Sequence, residues 1–198
     1  MKEGDSSPRI PRITGDERTE AVWELIDMFS GPGRLNVDEN HVLNTLGQHP
    51  ELAKPFLTFN RYLLVSSTLP VRLRQIAILR VSWIRKARYM WSSHLRTSLR
   101  NGLHAEDFEP VKDGPDSLYW NEQERAVLAA TDQLVATSDL DDDNWKRLSA
   151  FLDRRQIMDF LFTVGTYVQL AMVLNAIRID REPELLRLAE QYGAPVPD

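Results

Sequence analysis

The chain has 198 residues, 24 basic and 29 acidic, a net charge of −5 and no cysteine. A chain of this length buries roughly 70% of its unfolded surface, so its core needs no metal or disulfide staple. The charge forms no basic stripe, which excludes a phosphate-tracking nucleic-acid surface. The missing cysteines exclude disulfides, thiolate nucleophiles, iron–sulfur ligation and Cys zinc sites.

Residues 1–15 mix Pro, Gly, Ser and charge, the composition of a flexible arm. From Asp16 the pattern turns helical, with Ala21, Val22, Leu25, Ile26 and Phe29 at threes and fours until Gly31-Pro32-Gly33-Arg34 stops it. A short helix is expected at about 38–47. After Pro50 a helix places Leu52, Phe56, Phe59, Leu63 and Leu64 on one side. Thr68 reads as the next N-cap, with Pro70 in the first turn.

Between Val71 and Arg100 there is neither Gly nor Pro, and Asn101-Gly102 supplies a stop. One unbroken helix there would exceed the usual globular length, so a break inside it is expected. Asn121 caps a helix through about Thr137. Asp141 to Leu152 forms another, with an acidic first turn suited to the helix dipole. Arg154 to Ile179 is apolar nearly all round and reads as the central buried helix. No segment alternates at period two, so the chain is all-α: an arm over 1–15, a single domain over 16–192 and a tail over 193–198.

No apolar signal segment opens the chain, and Thr163, Gly165, Thr166 and Gln169 interrupt the longest apolar run. A cytoplasmic protein with no membrane span is therefore expected. His41 and His49 lack metal-ligand spacing, His104 follows a cap glycine, and the acidic run at 139–143 lacks the glycine and glutamate of an EF-hand. No metal, cofactor or nucleic-acid partner is expected.

The block LPVRLRQIAILRVSWIRKARYMWSSHLRTSLRNGL, followed by ERAVLAATDQL, NWKRL and FLFTVGTYVQLAMVLNAI, resembles the carboxymuconolactone decarboxylase family from about Phe56 to Arg181. That family includes decarboxylating lyases and alkylhydroperoxidase D type peroxidases. The resemblance implies an alkylhydroperoxidase D-like helical bundle around an antiparallel helix hairpin, broken near Lys86 to Arg88. It also implies a homo-oligomer, whether dimer, trimer or hexamer. Redox members carry a glutamate, a Cys-x-x-Cys pair and a histidine. These positions fall on Gln75, Ala87, Met90 and His94, so only the histidine is kept. Many non-redox relatives have a Tyr-Glu-Trp run here; this chain keeps Tyr89 and Trp91 with Met90 between them.

Peroxide reduction needs a thiolate to attack the O–O bond and a second thiol to resolve the sulfenate, so the thiol peroxidase mechanism is excluded. Decarboxylation or isomerisation of a small lactone, keto acid or cyclic metabolite needs only a proton donor or acceptor and groups that hold a carboxylate or enolate. His94 is the candidate acid/base, with Gln75 and Tyr89 beside it as catalytic candidates. Arg80, Arg88, Met90, Trp91, Ala87, Tyr167 and Asn175 are the substrate-binding candidates. Ala87, Met90, Trp91 and His94 share one helical stripe, and an apolar wall there favours a neutral imidazole. Arg80, if buried, needs a partner, for which Glu124 or Asp159 would serve. The rival reading is a helical oligomer that has lost catalysis and serves as a ligand binder or scaffold, because both family carboxylates are missing.

Overall fold

The computed structural model describes residues 7–30 and 37–197. Among them no strand is formed, and the α-helices fall into two compact units: residues 1–66 with 176–182, and 67–175 with 183–198. The glycine-proline stop at 31–34 lies outside the described residues.

The first unit holds α1 (Glu20–Ser30), α2 (His41–Leu46) and α3 (Pro50–Val65). Asn40 caps α2 by accepting from the Leu43 N–H at 3.0 Å, and Pro50 opens α3 where its missing N–H is harmless. Val22, Leu25 and Ile26 of α1 pack with Leu43, Ala53 and Leu57. The inward face of α3 is Ala53, Leu57, Asn60 and Leu63. Leu52 and Phe59, expected inside, are 63% and 39% exposed. A period of 3.6 defined the stripe but not which of two neighbouring apolar stripes turns inward. The described part of the arm is tied down: the Arg9 N–H donates to the Ile177 carbonyl at 2.8 Å, the Ile13 N–H donates to the Asn44 carbonyl, and Ile13 is buried. Backbone hydrogen bonds order a segment whose apolar content alone would not.

The second unit is built on α4 (Val71–Ile84) and α5 (Arg88–Arg100). The expected break is a reversal at Arg85–Ala87. Lys86 sits at φ 52°, its N–H donates to the Trp83 carbonyl, and the Ala87 N–H donates to the Ser82 carbonyl. These paired bonds make a Schellman cap, here with lysine in the left-handed position that glycine normally fills. α5 ends the same way, with Gly102 at φ 84° and the Leu103 N–H on the Ser98 carbonyl. Thr68 is not the N-cap of α4. Pro70 occupies that place, and the Thr68 N–H and hydroxyl both donate to Asp159.

α6 (Phe108–Asp113), α7 (Glu122–Thr137), α8 (Asp142–Ser149), α9 (Arg154–Ile177) and α10 (Pro183–Gln191) complete the chain. α6 and α10 were not anticipated. Each is short, and α10 is held by burial of Leu185 and Ala189 rather than by propensity. Ile76, Leu79, Trp91, Leu95, Phe108 and Leu128 form the centre of the unit's core, with Trp83 edge-on to Trp91 at 5.4 Å. Burying each such side chain contributes about 1.5–3 kcal/mol. By length and composition α9 passes for a membrane span, with mean hydropathy 1.6 over 18 residues, contrary to expectation; half of that stretch is buried within the chain.

Arg72 is the polar knot of this unit. Its guanidinium grips Asp107 with both terminal nitrogens, at 3.0 and 2.6 Å, and its Nε donates to Glu124 at 2.6 Å. Asp107 also accepts from the His104 N–H and the Tyr119 hydroxyl. Glu124 meanwhile closes the capping box of α7 with Asn121. The Asp107 and Glu124 hydrogen bonds hold Arg72 more firmly protonated than usual, against the opposing effect of burial. Burial alone would raise the Asp107 carboxyl, but Arg72, the His104 N–H and Tyr119 outweigh it and leave it below the ordinary range. That stabilisation is present above the unfolded value near pH 4 and is lost as pH falls through the lower folded value.

Two outcomes follow for urea unfolding at neutral pH. Asp107→Ala, which leaves Arg72 with Glu124 alone and takes the acceptor from the His104 N–H and the Tyr119 hydroxyl, lowers stability by about 1.5–3 kcal/mol. Lys86→Gly raises it by about 1 kcal/mol, because glycine enters the left-handed region without a Cβ clash; a lower midpoint for this variant would contradict the reversal as described.

Candidate functional site

The reversal at Lys86 lays α5 back along α4 and brings Gln75 to His94. His94 Nδ1 lies 3.0 Å from Gln75 Oε1, and the Ser98 hydroxyl donates to the same oxygen at 3.2 Å. Gln75 and His94 are 1% and 8% exposed. With Oε1 accepting both bonds, the imidazole proton sits on Nδ1 and Nε2 is the basic atom. Tyr167 of α9 meets the imidazole edge-on, centroids 5.0 Å apart at 85°. The Gln75 Nε2 amide is buried with no hydrogen-bond partner. A stranded donor of this kind costs about 1–3 kcal/mol, so it marks a place where a ligand oxygen would be welcome.

Arg74 is the residue that sequence reasoning missed. It is 4% exposed, on α4 beside Gln75. Burial lowers its affinity for the proton, while Tyr167 and Asp159 oppose that effect. Burial likewise pushes His94 down to about 3, and the charges of Arg74 and Arg96 push further in the same direction. His94 is therefore a neutral acceptor at physiological pH. The signal for Arg74 was a cation embedded in an apolar run, but Arg72 and Arg74 flank Leu73 symmetrically, and sequence alone does not tell which one is buried.

The remaining candidates are distributed unevenly. Ala87, Met90 and Trp91 are buried at 1%, 1% and 0%, and Trp91 packs in the core against Trp83. Tyr89 is buried in the first turn of α5, and Arg88, exposed, donates from Nε to the Pro197 carbonyl at 3.0 Å. Arg80 pairs with Asp132, not with Glu124 or Asp159, and donates to the carbonyls of Val111 and Lys112. Its guanidinium lies so close to Gly114, at φ 67°, that a Cβ there would come within 2.4 Å, and its fork is spent on holding α4 to α6 and α7. Asn175, exposed, donates to the Arg85 carbonyl at 2.8 Å, which steadies the reversal. The structure thus joins His94, Gln75 and Tyr167 and adds Arg74 and Ser98, while Arg80 and Asn175 are engaged in structural bonds.

The sign of the His94 shift sets a pH effect. Below about pH 6.5 the unfolded chain takes up a proton that the folded chain refuses until about pH 3, so stability falls on acidification by about 1.4 kcal/mol per unit from this group. NMR of the His94 imidazole is expected to show no titration between pH 5 and 8. Gln75→Glu, which sets a carboxylate against Nδ1, is expected to bring the titration into that window. A wild-type midpoint near 6.5 would refute the buried, cation-flanked description.

Residues 50–133 match the carboxymuconolactone decarboxylase family. Among solved structures, the debrominase Bmp8 with a cysteine-to-alanine substitution, in complex with 2,3,4-tribromopyrrole, superposes with a TM-score of 0.76 at 16% identity, covering 94% of this chain and 98% of that one. Bmp8 in its apo form gives 0.70 at 17% identity, covering 92% and 97%. A protein of unknown function from Agrobacterium tumefaciens, linked to the antioxidant defence protein AhpD, gives 0.65 at 23% identity, covering 70% and 95%. No curated protein sequence matches the chain. The matched segment, which spans the α4–α5 hairpin, is similar to the carboxymuconolactone decarboxylase family, and the chain has an alkylhydroperoxidase D-like helical fold with no cysteine and hence no Cys-x-x-Cys pair.

Proposed function

We propose that the chain is a cofactor-independent acid/base enzyme, a decarboxylase or isomerase acting on a small lactone, keto acid or cyclic metabolite, with His94 as its proton acceptor and donor. The observation that carries this reading is the buried Gln75–His94 pair beside Arg74, with the Gln75 Nε2 donor unsatisfied. In such a site Arg74 takes the substrate carboxylate, Gln75 Nε2 donates to the oxygen on which negative charge develops, and His94 Nε2 removes or returns the proton on the adjacent carbon.

Charge coupling links the imidazole to a bound anion. Burial, with Arg74 and Arg96 in second place, holds His94 at about 3 and makes it a weak base in the free protein. A bound carboxylate offsets the Arg74 charge and so raises His94 from that value, strengthening it as a base. A small cyclic substrate is also in keeping with Bmp8, a debrominase of similar fold crystallised with 2,3,4-tribromopyrrole.

Replacement of both family carboxylates, by Gln75 and Met90, favours a second reading in which the same site binds a ligand without turning it over. A thermal-shift screen of wild type, His94→Ala and Arg74→Gln against lactones, benzoates and short 2-oxo acids separates the two. A ligand at about 100 times its dissociation constant adds roughly 2.7 kcal/mol, a shift of a few degrees for a chain of this size. Stabilisation of wild type that fades in both variants, with product formed by wild type alone, is the expected result. Stabilisation without product supports the binding protein. A flat response from folded wild type, or a shift that survives both substitutions, removes the site from His94.

A further inference from the structure

α7 and α8 follow one another in the chain and pack side by side. Gln133 fastens them where they meet: its amide donates to Asp141 at 2.9 Å, and its oxygen accepts from the Asp141 N–H and the Asn144 amide. At the other end, between the start of α7 and the end of α8, a cleft of about 540 Å³ lies open. Ala126 and Phe151 give it an apolar wall, Gln123 adds an amide, and Arg125 and Arg147 line it from the two helices. A volume of this size holds one small organic molecule.

The two guanidiniums say what kind of molecule. Arg72, Arg80 and Arg96 of the same unit each bond a carboxylate. Among the described residues Arg125 makes one hydrogen bond, from Nη2 to the Trp120 carbonyl at 3.0 Å, and its Nε is buried with no acceptor. Arg147 has one contact, at 3.5 Å, to Asn144 of its own helix. Neither is ion-paired, in a chain whose acidic residues outnumber the basic ones by 29 to 24. A buried donor stranded on a charged group is costly, and an acceptor entering the cleft removes the cost. We propose that this cleft binds a small phosphate monoester with a flat apolar body. One guanidinium fork is enough for the two oxygens of a carboxylate. A phosphate monoester presents three acceptor oxygens and more than one negative charge, which suits two unpaired forks lining one cleft. Phe151 and Ala126 offer the surface for the apolar body. Glu122, exposed, also lines the cleft and opposes an anion, so it limits the affinity that the arginines supply. The cleft shares no residue with the Gln75–His94 pair, and its occupancy is independent of the acid/base reading.

Phenyl phosphate is the probe. Calorimetric titration of the full chain is expected to show binding that weakens about tenfold or more in Arg125→Gln and in Arg147→Gln. Glu122→Gln, which removes a like charge, is expected to tighten it, and Arg61→Gln, an exposed arginine of α3, to leave it unchanged. Arg147 is exposed, so its variant keeps the fold and tests the cleft separately from the half-buried Arg125. Inorganic phosphate or benzoate bound as tightly as phenyl phosphate overturns the ligand class. Wild type that takes up no phenyl phosphate, affinity indifferent to both cleft arginines, or binding abolished by Arg74→Gln overturns the site.

Discussion

The candidate site depends on one backbone event, the reversal at Arg85–Ala87. Gln75 and His94 are nineteen residues apart, and a continuous helix would separate them by about 28 Å at 1.5 Å per residue. The left-handed Lys86 folds that distance to a hydrogen bond. The reversal is secured from several directions: its own cap bonds, the Asn175 amide on the Arg85 carbonyl, and the Arg85 guanidinium on the Val135 carbonyl. A non-glycine residue in a left-handed conformation persists only where its surroundings over-determine it.

Arg72 and Arg74, two residues apart, divide the work of α4. Arg72, partly exposed, has its charge answered by Asp107 and Glu124 and fastens the hairpin to α7. Arg74, on the buried side, contributes a field to its surroundings and depresses His94. The same residue type therefore serves stability at one position and electrostatic tuning at the other. The difference lies in burial: Arg72 is partly exposed and bonded to two carboxylates, while Arg74 is 4% exposed and its charge acts on the imidazole through little solvent.

How much of this could be read in the sequence depended on the kind of signal. The helices with caps and long periodic stripes, such as α7 with its Asn121–Glu124 box, were legible because local chemistry fixes them. The pairing of Gln75 with His94 was legible through the resemblance to a family, not through spacing. The partner of Arg80 was not legible: Asp132, Glu124 and Asp159 are equally acidic in sequence, and only the packing of α4 on α7 selects among them. α10 escaped notice because nine residues with two buried apolar side chains stand out little from loop composition. The inward face of α3 was misjudged for a related reason, since its Leu52 and Phe59 are as apolar as the residues that point inward.

The placement of sulfur has a consequence for life under oxidising conditions. The chain has no cysteine, and the methionine of its hairpin, Met90, is 1% exposed. Thioether oxidation needs access, and the product, a polar sulfoxide, disrupts apolar contacts. Met158 and Met172 of α9, 54% and 64% exposed, are open to an oxidant where Met90 is not. Oxidative damage to this protein begins at those exposed thioethers and spares the thioether nearest the imidazole and its amide partner.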